Sequence, residues 1–415
     1  MRSLFAAAAV ISSLSAWALA GDNWPQFRGP TGEGHTDSAG LPVEWSETKN
    51  VAWKTPIHDR GWSSPVVWGD QVWMTTATPD GRKMYAVCVD KATGKIVHDL
   101  LIFETSAPDK INAFNSYASP TPAIEEGRVY VHFGKFGTAC LNTADGKVLW
   151  QRRDILCDHF AGPGSSPLLL GRMLVLTMDG MDQQYLIALD KQTGEEIWKT
   201  HRSTDFGKLD GDLRKAFSTP LLVAHGGIRQ LVVAGAQAGN GFDAAGGKEL
   251  WAVRYPGGFS NSSMAVRAGD NVLINTGFGR AKLWAVPLAS RQDATGQVKW
   301  KVDQDVPLRS SPIVVGGNVY MVSDTGVLSC LDASTGSRHF RERLRGGNFS
   351  ASPISDGKRI WMCDEKGTSH VIEASDQYRE LSANKLDDGC MGSPAVSGKA
   401  LFLRTKSALY RIETK

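Results

Sequence analysis

An all-β fold, eight small sheets set round an axis as an eight-bladed β-propeller, is what this 415-residue sequence predicts, on three observations. A Thr-Gly turn recurs with a tryptophan four residues after the glycine, in Asn142-Thr-Ala-Asp-Gly146-Lys-Val-Leu-Trp150, Asp190 to Trp198, Asp243 to Trp251 and Thr295 to Trp300. Two degenerate copies keep the turn and change the aromatic, Asp90 to His98 and Asp332 to Phe340. A Ser-Pro-like step recurs ahead of a short apolar run, eight times at spacings of 41 to 57 residues. Between these markers lie short stretches of apolar–polar alternation with Gly and Asp between them, and no sustained helical periodicity. Four short strands in a unit of roughly 40–50 residues is the signature of a propeller blade.

The elements follow in chain order. Residues 1–20 carry Arg2, an apolar stretch from Leu4 to Ala20 and a small-x-small step Ala18-Leu19-Ala20, the pattern of a cleaved secretory signal peptide. Residues 21–49 are expected to be an N-terminal extension packing on the propeller, which occupies 50–415. Units open at Ser64-Pro65, Thr121-Pro122, Ser166-Pro167, Thr219-Pro220, Ser263-Met264, Ser311-Pro312, Ser352-Pro353 and Ser393-Pro394. The eighth unit reaches Lys415 without a Thr-Gly-Trp segment, and Asn50-Val-Ala-Trp53-Lys54 supplies the missing outer strand. An N-terminal strand paired into the last blade removes two sheet edges and shuts the ring.

Composition suits one large domain, with 42% apolar residues and a net charge of +3 that falls to +2 without Arg2. So balanced a charge predicts neither nucleic-acid binding nor attraction to a membrane surface. No cysteine follows the cleavage step directly, so no lipid anchor and no membrane insertion after cleavage are expected, and the mature chain is assigned to the periplasm or the outside of the cell. Cys88, Cys140 and Cys330 each stand two residues before the repeat's Asp or Asn, a slot filled elsewhere by Ala188 or Gly241, and are read as small core residues. Cys363 reads as a strand residue. Cys157 and Cys390 fall in loops between blades; a bridge between them is the less favoured reading.

The Asp-x-x-Thr-Gly-x-x-x-Trp turns resemble the tryptophan-docking repeats of the PQQ (pyrroloquinoline quinone)-like propeller superfamily. That superfamily includes quinoprotein alcohol dehydrogenases and a non-enzymatic lipoprotein of outer-membrane protein assembly. Trp24-Pro-Gln-Phe-Arg-Gly-Pro30, Gly392-Ser-Pro-Ala and Leu401-Phe-Leu-Arg-Thr-Lys406 look like its secreted bacterial branch. The resemblance implies that the tryptophan of one blade docks against its neighbour. For a methanol-dehydrogenase-type enzyme it also implies two adjacent cysteines, and for a quinohaem variant a C-x-x-C-H motif. This sequence contains neither.

The Thr-Gly turns mark one face of the ring, and irregular loops on the opposite face are the natural place for function. There the candidate ligand-binding residues are Arg60, Trp62, Tyr117, Asp158, His159, Asp179, Phe259, Asn261, Arg280, Asn348 and Phe349. Aromatics beside Arg, Asn and Asp suit a sugar or another polar ligand. Simpler roles stand beside this one. Trp62, Phe160, Phe259 and Phe349 precede blade openings and would serve as plugs. Asp158 with His159 would form an acid–base pair only if adjacent side chains turned the same way. Asp179 with Asp182, and Asp210 with Asp212, lack the remainder of a calcium loop and read as solvated turns. Arg280, Lys282, Arg404 and Lys406 form a possible anion site or an ordinary basic hairpin surface. The function expected is an exported binding platform for a polar small molecule, a glycan or a protein partner, non-catalytic by default. No cofactor is expected. The alternatives are a PQQ-dependent oxidoreductase holding the quinone, with calcium, in the central funnel, and a glycan-processing enzyme using the loop face.

Overall fold

Eight sheets, each antiparallel and four-stranded apart from one added strand, make up the computed structural model, which describes residues 22–414. The expected leader lies outside these residues. Blades 1 to 7 span 66–104, 123–152, 168–201, 221–254, 266–302, 313–343 and 354–385. Blade 8 combines 395–412 with the strand Val51–Pro56, which pairs antiparallel with Ala408–Ile412 and sets Trp53 opposite Arg411. The ring is therefore shut by the N-terminal strand. Helical structure among the described residues is limited to the short 3-10 turns Gly211–Arg214 and Thr295–Gln297.

The Thr-Gly turns join third and outer strands and hold themselves together. Asp90 accepts from the amide and hydroxyl of Thr93 at 2.7 and 2.6 Å, and the Gly94 amide donates to the Asp90 carbonyl at 2.9 Å. Gly94 has φ +74°, where a side chain is strained. The missing Cβ matters equally: Trp53 of blade 8 lies where it would project, 2.7 Å away. The indole nitrogen of Trp53 donates to the Lys91 carbonyl at 3.1 Å. Trp150 covers Gly194, Trp198 covers Gly247 and Trp300 covers Gly336 in the same manner. Four blades thus press an indole onto the turn of the next, and the repeat is a packing device.

Trp251 departs from this pattern. Its indole nitrogen donates to Gln230 within blade 4 at 2.7 Å. The segment Gln292–Asp293, in place of a docking turn, adds a parallel strand to the outer edge of blade 4. Gly296, the turn glycine expected from the sequence, has nothing within 4 Å of its Cβ direction.

The Ser-Pro steps have a matching role at the axis. The amides of Ser64, Thr121, Ser166, Met264, Ser311, Ser352 and Ser393 each donate to a hydroxyl of the next blade at 2.9 Å. The last of these, Ser393 to Ser64, closes the circle. In blade 5 the register differs from the expected one: Met264, not Ser263, occupies the hydroxyl position, so one link of the ring lacks its side-chain acceptor.

Residues 24–36 thread the channel inside this ring. Trp24 and Val67 exchange backbone bonds at 2.8 and 2.9 Å, Ile124 donates to Pro25, and Thr36 donates to Ser355. Arg28 is wholly buried, its guanidinium donating to the carbonyls of Glu33 and Pro312 at 2.9 and 2.8 Å. Burial lowers its pKa to about 10. Beyond the channel the chain crosses blade 7, where Trp361 donates to Pro42 and Asn384 accepts from Trp45. The apolar core is divided among the seams between blades, as where Tyr130, Cys140 and Trp150 of blade 2 meet Leu174 and Ile187 of blade 3. Each such buried side chain stabilises the seam by about 1.5–3 kcal/mol.

Candidate functional site

The loops opposite the Thr-Gly turns surround a funnel of about 650 Å³. Below it a narrower space of about 100 Å³ is walled by Ser64, Thr121, Ser166, Thr219, Ser352 and Ser393, with Phe27 of the threading segment also lining it. Trp62, Phe114, Phe160, Phe217, Phe259 and Phe278 form the aromatic wall of the funnel. Phe160 and Phe114 are 58% and 42% exposed, unusual values for phenylalanine in a well-packed domain.

Cations lie over these rings. The Arg309 guanidinium sits 4.3 Å from the centre of Phe114, and the Lys215 ammonium 5.5 and 5.8 Å from Phe160 and Phe259. Arg60 stacks on Trp62 at 4.8 Å. Carboxylates fix two of the three: Arg309 pairs with Asp324 at 2.9 Å and with Glu365 at 3.3 Å, and Lys215 pairs with Asp212. The Trp62 indole donates to the Phe114 carbonyl at 2.9 Å and pins the 112–117 insertion over blade 1. The funnel therefore presents apolar ring faces bounded by neutralised charge. It suits a ligand with exposed apolar groups and a hydrogen-bonding backbone.

Of the residues expected from sequence, Trp62 and Phe259 line this funnel. Arg60 borders it through Trp62, and also lines a side pocket of about 280 Å³ with Tyr117. Tyr117 itself is buried, its hydroxyl donating to the Asp109 carbonyl at 2.5 Å. Asp158 accepts from the Phe160 amide at 3.0 Å and receives no bond from the neighbouring imidazole. His159 turns inward, 7% exposed, against the Cys157 sulfur at 3.4 Å. Burial lowers its pKa to about 4 and the same burial raises the Cys157 thiol well above its ordinary range. The thiol is held protonated and the imidazole uncharged, and both are covered, at 2% and 7% exposure. Asp158 and His159 have separate partners, so the acid–base pair, the less favoured reading of this sequence, does not form.

Asp179 is not the solvated turn residue that the sequence suggests. It is 1% exposed and clasps Arg202 through both oxygens at 2.7 and 2.6 Å, while Arg202 also donates to Asn240 at 2.7 Å. Asn261 is buried below the funnel wall, donating to the Asn275 carbonyl at 2.8 Å. Phe349 is buried against His370 at 6.0 Å, and Asn348 is exposed with its carbonyl taken by the Glu365 amide. Arg280 stands with Lys282 on a separate groove of about 510 Å³ that also carries Asp303 and Asp305. Arg404, grouped with them from sequence, is buried between blades 8 and 1 and donates to Ser63 and Thr75. No common anion site results.

Phe114, Phe217, Phe278, Lys215 and Arg309 escaped the sequence reading. Phe114 and Lys215 stand in irregular loops, where the sequence gives no reason to choose between neighbours. Phe160, a plug on the sequence reading, is instead exposed at the funnel, with φ +52°.

A planar tricarboxylate quinone with calcium calls for free cations and a cluster of oxygen donors. Here Arg309 and Lys215 are already held by Asp324, Glu365 and Asp212. Among the described residues no group of three or more His, Cys, Asp or Glu is placed to hold a metal ion. A quinone there would find two of the three cations at the funnel already paired.

A family model described as outer membrane protein assembly factor BamB matches residues 36–154, 161–290 and 287–381, well over half of the chain. A protein of that name from Alkalilimnicola ehrlichii is 27% identical over 197 residues, 46% of either chain, so the match spans about half the length of this curated relative. Among solved structures, BamB from Moraxella catarrhalis aligns with TM-score 0.59 at 12% identity, over 87% of this chain and 99% of that one. Quinohemoprotein alcohol dehydrogenase from Comamonas testosteroni aligns with TM-score 0.67 at 11% identity, over 96% of this chain and 82% of that one. At such identities the structural likeness is one of fold, shared alike by an assembly factor and an oxidoreductase.

Proposed function

The chain belongs to the PQQ-like repeat family described as outer membrane protein assembly factor BamB, and on that premise we propose that it is a non-catalytic platform whose funnel binds a protein partner. The observation that carries this reading is the uncovered aromatic wall of the funnel, with Phe160 and Phe114 more exposed than packing alone would leave them. Interfaces draw their affinity from such rings, desolvated at the centre of a patch and surrounded by polar groups. The assembly-factor description of the family and of the curated relative supports a protein in this role ahead of a glycan or a small molecule. The leader read from residues 1–20 and the outer-membrane context of that description support a periplasmic setting. Against catalysis at His159 stands its burial beside Cys157, away from the funnel.

The experiment is a titration of short extended peptides, aromatic-rich or with serine in place of each aromatic, alongside neutral oligosaccharides. Aromatic-rich peptides are expected to bind, and Phe114→Ala and Phe160→Ala to weaken them about tenfold each, the loss of about 1–2 kcal/mol typical of a central aromatic contact. Binding of oligosaccharides without peptides would overturn the reading in favour of a glycan platform. Peptide binding indifferent to both substitutions would move the site off the funnel.

A further inference from the structure

Six cysteines serve this chain, all buried, and none is joined to another in this structure. Two of them meet. Cys363 ends the second strand of blade 7, Arg359–Cys363, and Cys390 lies in the loop leading to blade 8. The Cys390 amide donates to the carbonyl of Asp364, the residue after Cys363, at 2.9 Å, so the two backbones pass one residue apart. Both side chains belong to the same buried cluster. The Ser369 hydroxyl donates to the Cys363 sulfur at 3.2 Å, which holds that sulfur in place. A disulfide needs Cα atoms about 4.4–6.8 Å apart, and a backbone bond one residue from Cys363 brings Cys390 into its neighbourhood.

The other four thiols have no such neighbour. Cys88, Cys140 and Cys330 occupy blades 1, 2 and 6, and Cys157 faces His159. We propose that Cys363 and Cys390 are a disulfide pair, formed by thiol–disulfide exchange with a small or protein disulfide donor, that staples blade 7 to the entry of blade 8. In the exchange one cysteine thiolate attacks the donor's S–S bond and releases one donor thiol. The second thiolate then displaces the other donor sulfur. The Cys363–Cys390 bond forms, the donor's S–S bond breaks, and two protons and two electrons pass to the donor as two thiols. Cys390 also bridges to Thr405 of blade 8, so the bond ties the sheet that receives the closing N-terminal strand to its neighbour. With both sulfurs covered, exchange takes place before the 386–392 loop settles on blade 7, and the finished bond is shielded from reductants. An exported chain meets donors of this class on its way to the folded state.

The test uses the full protein, unfolded and refolded in a mixture of oxidised and reduced glutathione, then unfolded again and alkylated. The expected result is one linked peptide pair containing Cys363 and Cys390, lighter by two hydrogens than the reduced pair, with the other four cysteines alkylated. Cys157→Ala should leave the link untouched. Wild type refolded with the glutathione mixture should melt several degrees above wild type refolded in reductant alone, and the Cys363→Ala/Cys390→Ala double variant should show no such difference. Alkylation of all six cysteines after refolding, or a link through Cys157, overturns the proposal. Because refolding supplies the donor directly, the result is independent of whether the chain is exported.

Discussion

Replacing Met264 by serine offers a sharp test of how the axis is built. Seven blade-to-blade links end on a hydroxyl at 2.9 Å, and Met264 stands at the eighth hydroxyl position. On the repeat pattern alone, Met264→Ser completes the ring and returns about 1 kcal/mol for one further hydrogen bond. The packing argues the other way. Met264 is 2% exposed and shares a core cluster with Leu221, Trp251 and the half-buried Phe27. A Cβ placed on Gly32 of the threading segment would stand 3.1 Å from its methyl carbon. Met264 thus joins the axial segment to blades 4 and 5. Truncating a buried methionine removes about 2–5 kcal/mol. The balance is a net loss of about 1–4 kcal/mol, most of it from contacts that hold residues 24–36 in the channel. In guanidinium unfolding, with a steep dependence expected for a domain this large, the midpoint should fall by roughly 0.2–0.5 M. A midpoint equal to or above that of the wild type would refute the reasoning, since the hydroxyl ring would then outweigh the axial packing.

Asp179→Ala strands the Arg202 guanidinium, whose side chain is 0% exposed, and should cost about 3–5 kcal/mol in denaturant unfolding; Asp179→Ala with Arg202→Met should recover most of it. Acid should weaken the fold through His159 and His132, whose pKa values burial lowers to about 4 and about 3. The unfolded chain takes up their protons below about pH 6.5 while the folded chain does not, so stability is fully present above that pH and declines as pH falls toward 4. Unfolding midpoints at pH 7, 6 and 5 check this, in a range where most carboxylates remain ionised in both states; a flat profile would contradict the burial of the two imidazoles.

The ring was legible because propeller packing is local and repeated. An Asp that caps its own turn, a glycine at positive φ and an indole laid on that glycine must recur in sequence whenever they recur in space. The closing strand was legible for the same reason, because Trp53 carries the docking residue that the eighth unit lacks. Blade 5 misled where two markers degrade together: Ser262 and Ser263 offer alternative alignments, and Ala265 replaces the proline that would have chosen between them. The site was harder to see. Asp179 and Arg202 lie on the second strand and just past the outer strand of blade 3, with no periodic signal to join them. One residue at positive φ, Phe160, reverses the inside and outside of its loop, burying His159 and exposing the ring beside it. The threading of residues 24–36 through the axis is a matter of topology, and the aromatic segment alone distinguishes neither a plug from a surface strap.

The claim that the funnel is the binding surface is tested most directly by amide hydrogen exchange on the protein with and without a saturating aromatic-rich peptide. Added protection is predicted in 112–119, 158–164, 215–217, 258–262 and 308–309, the segments that wall the funnel. Protection confined to the outer strands of the blades or to the Thr-Gly turns would contradict it.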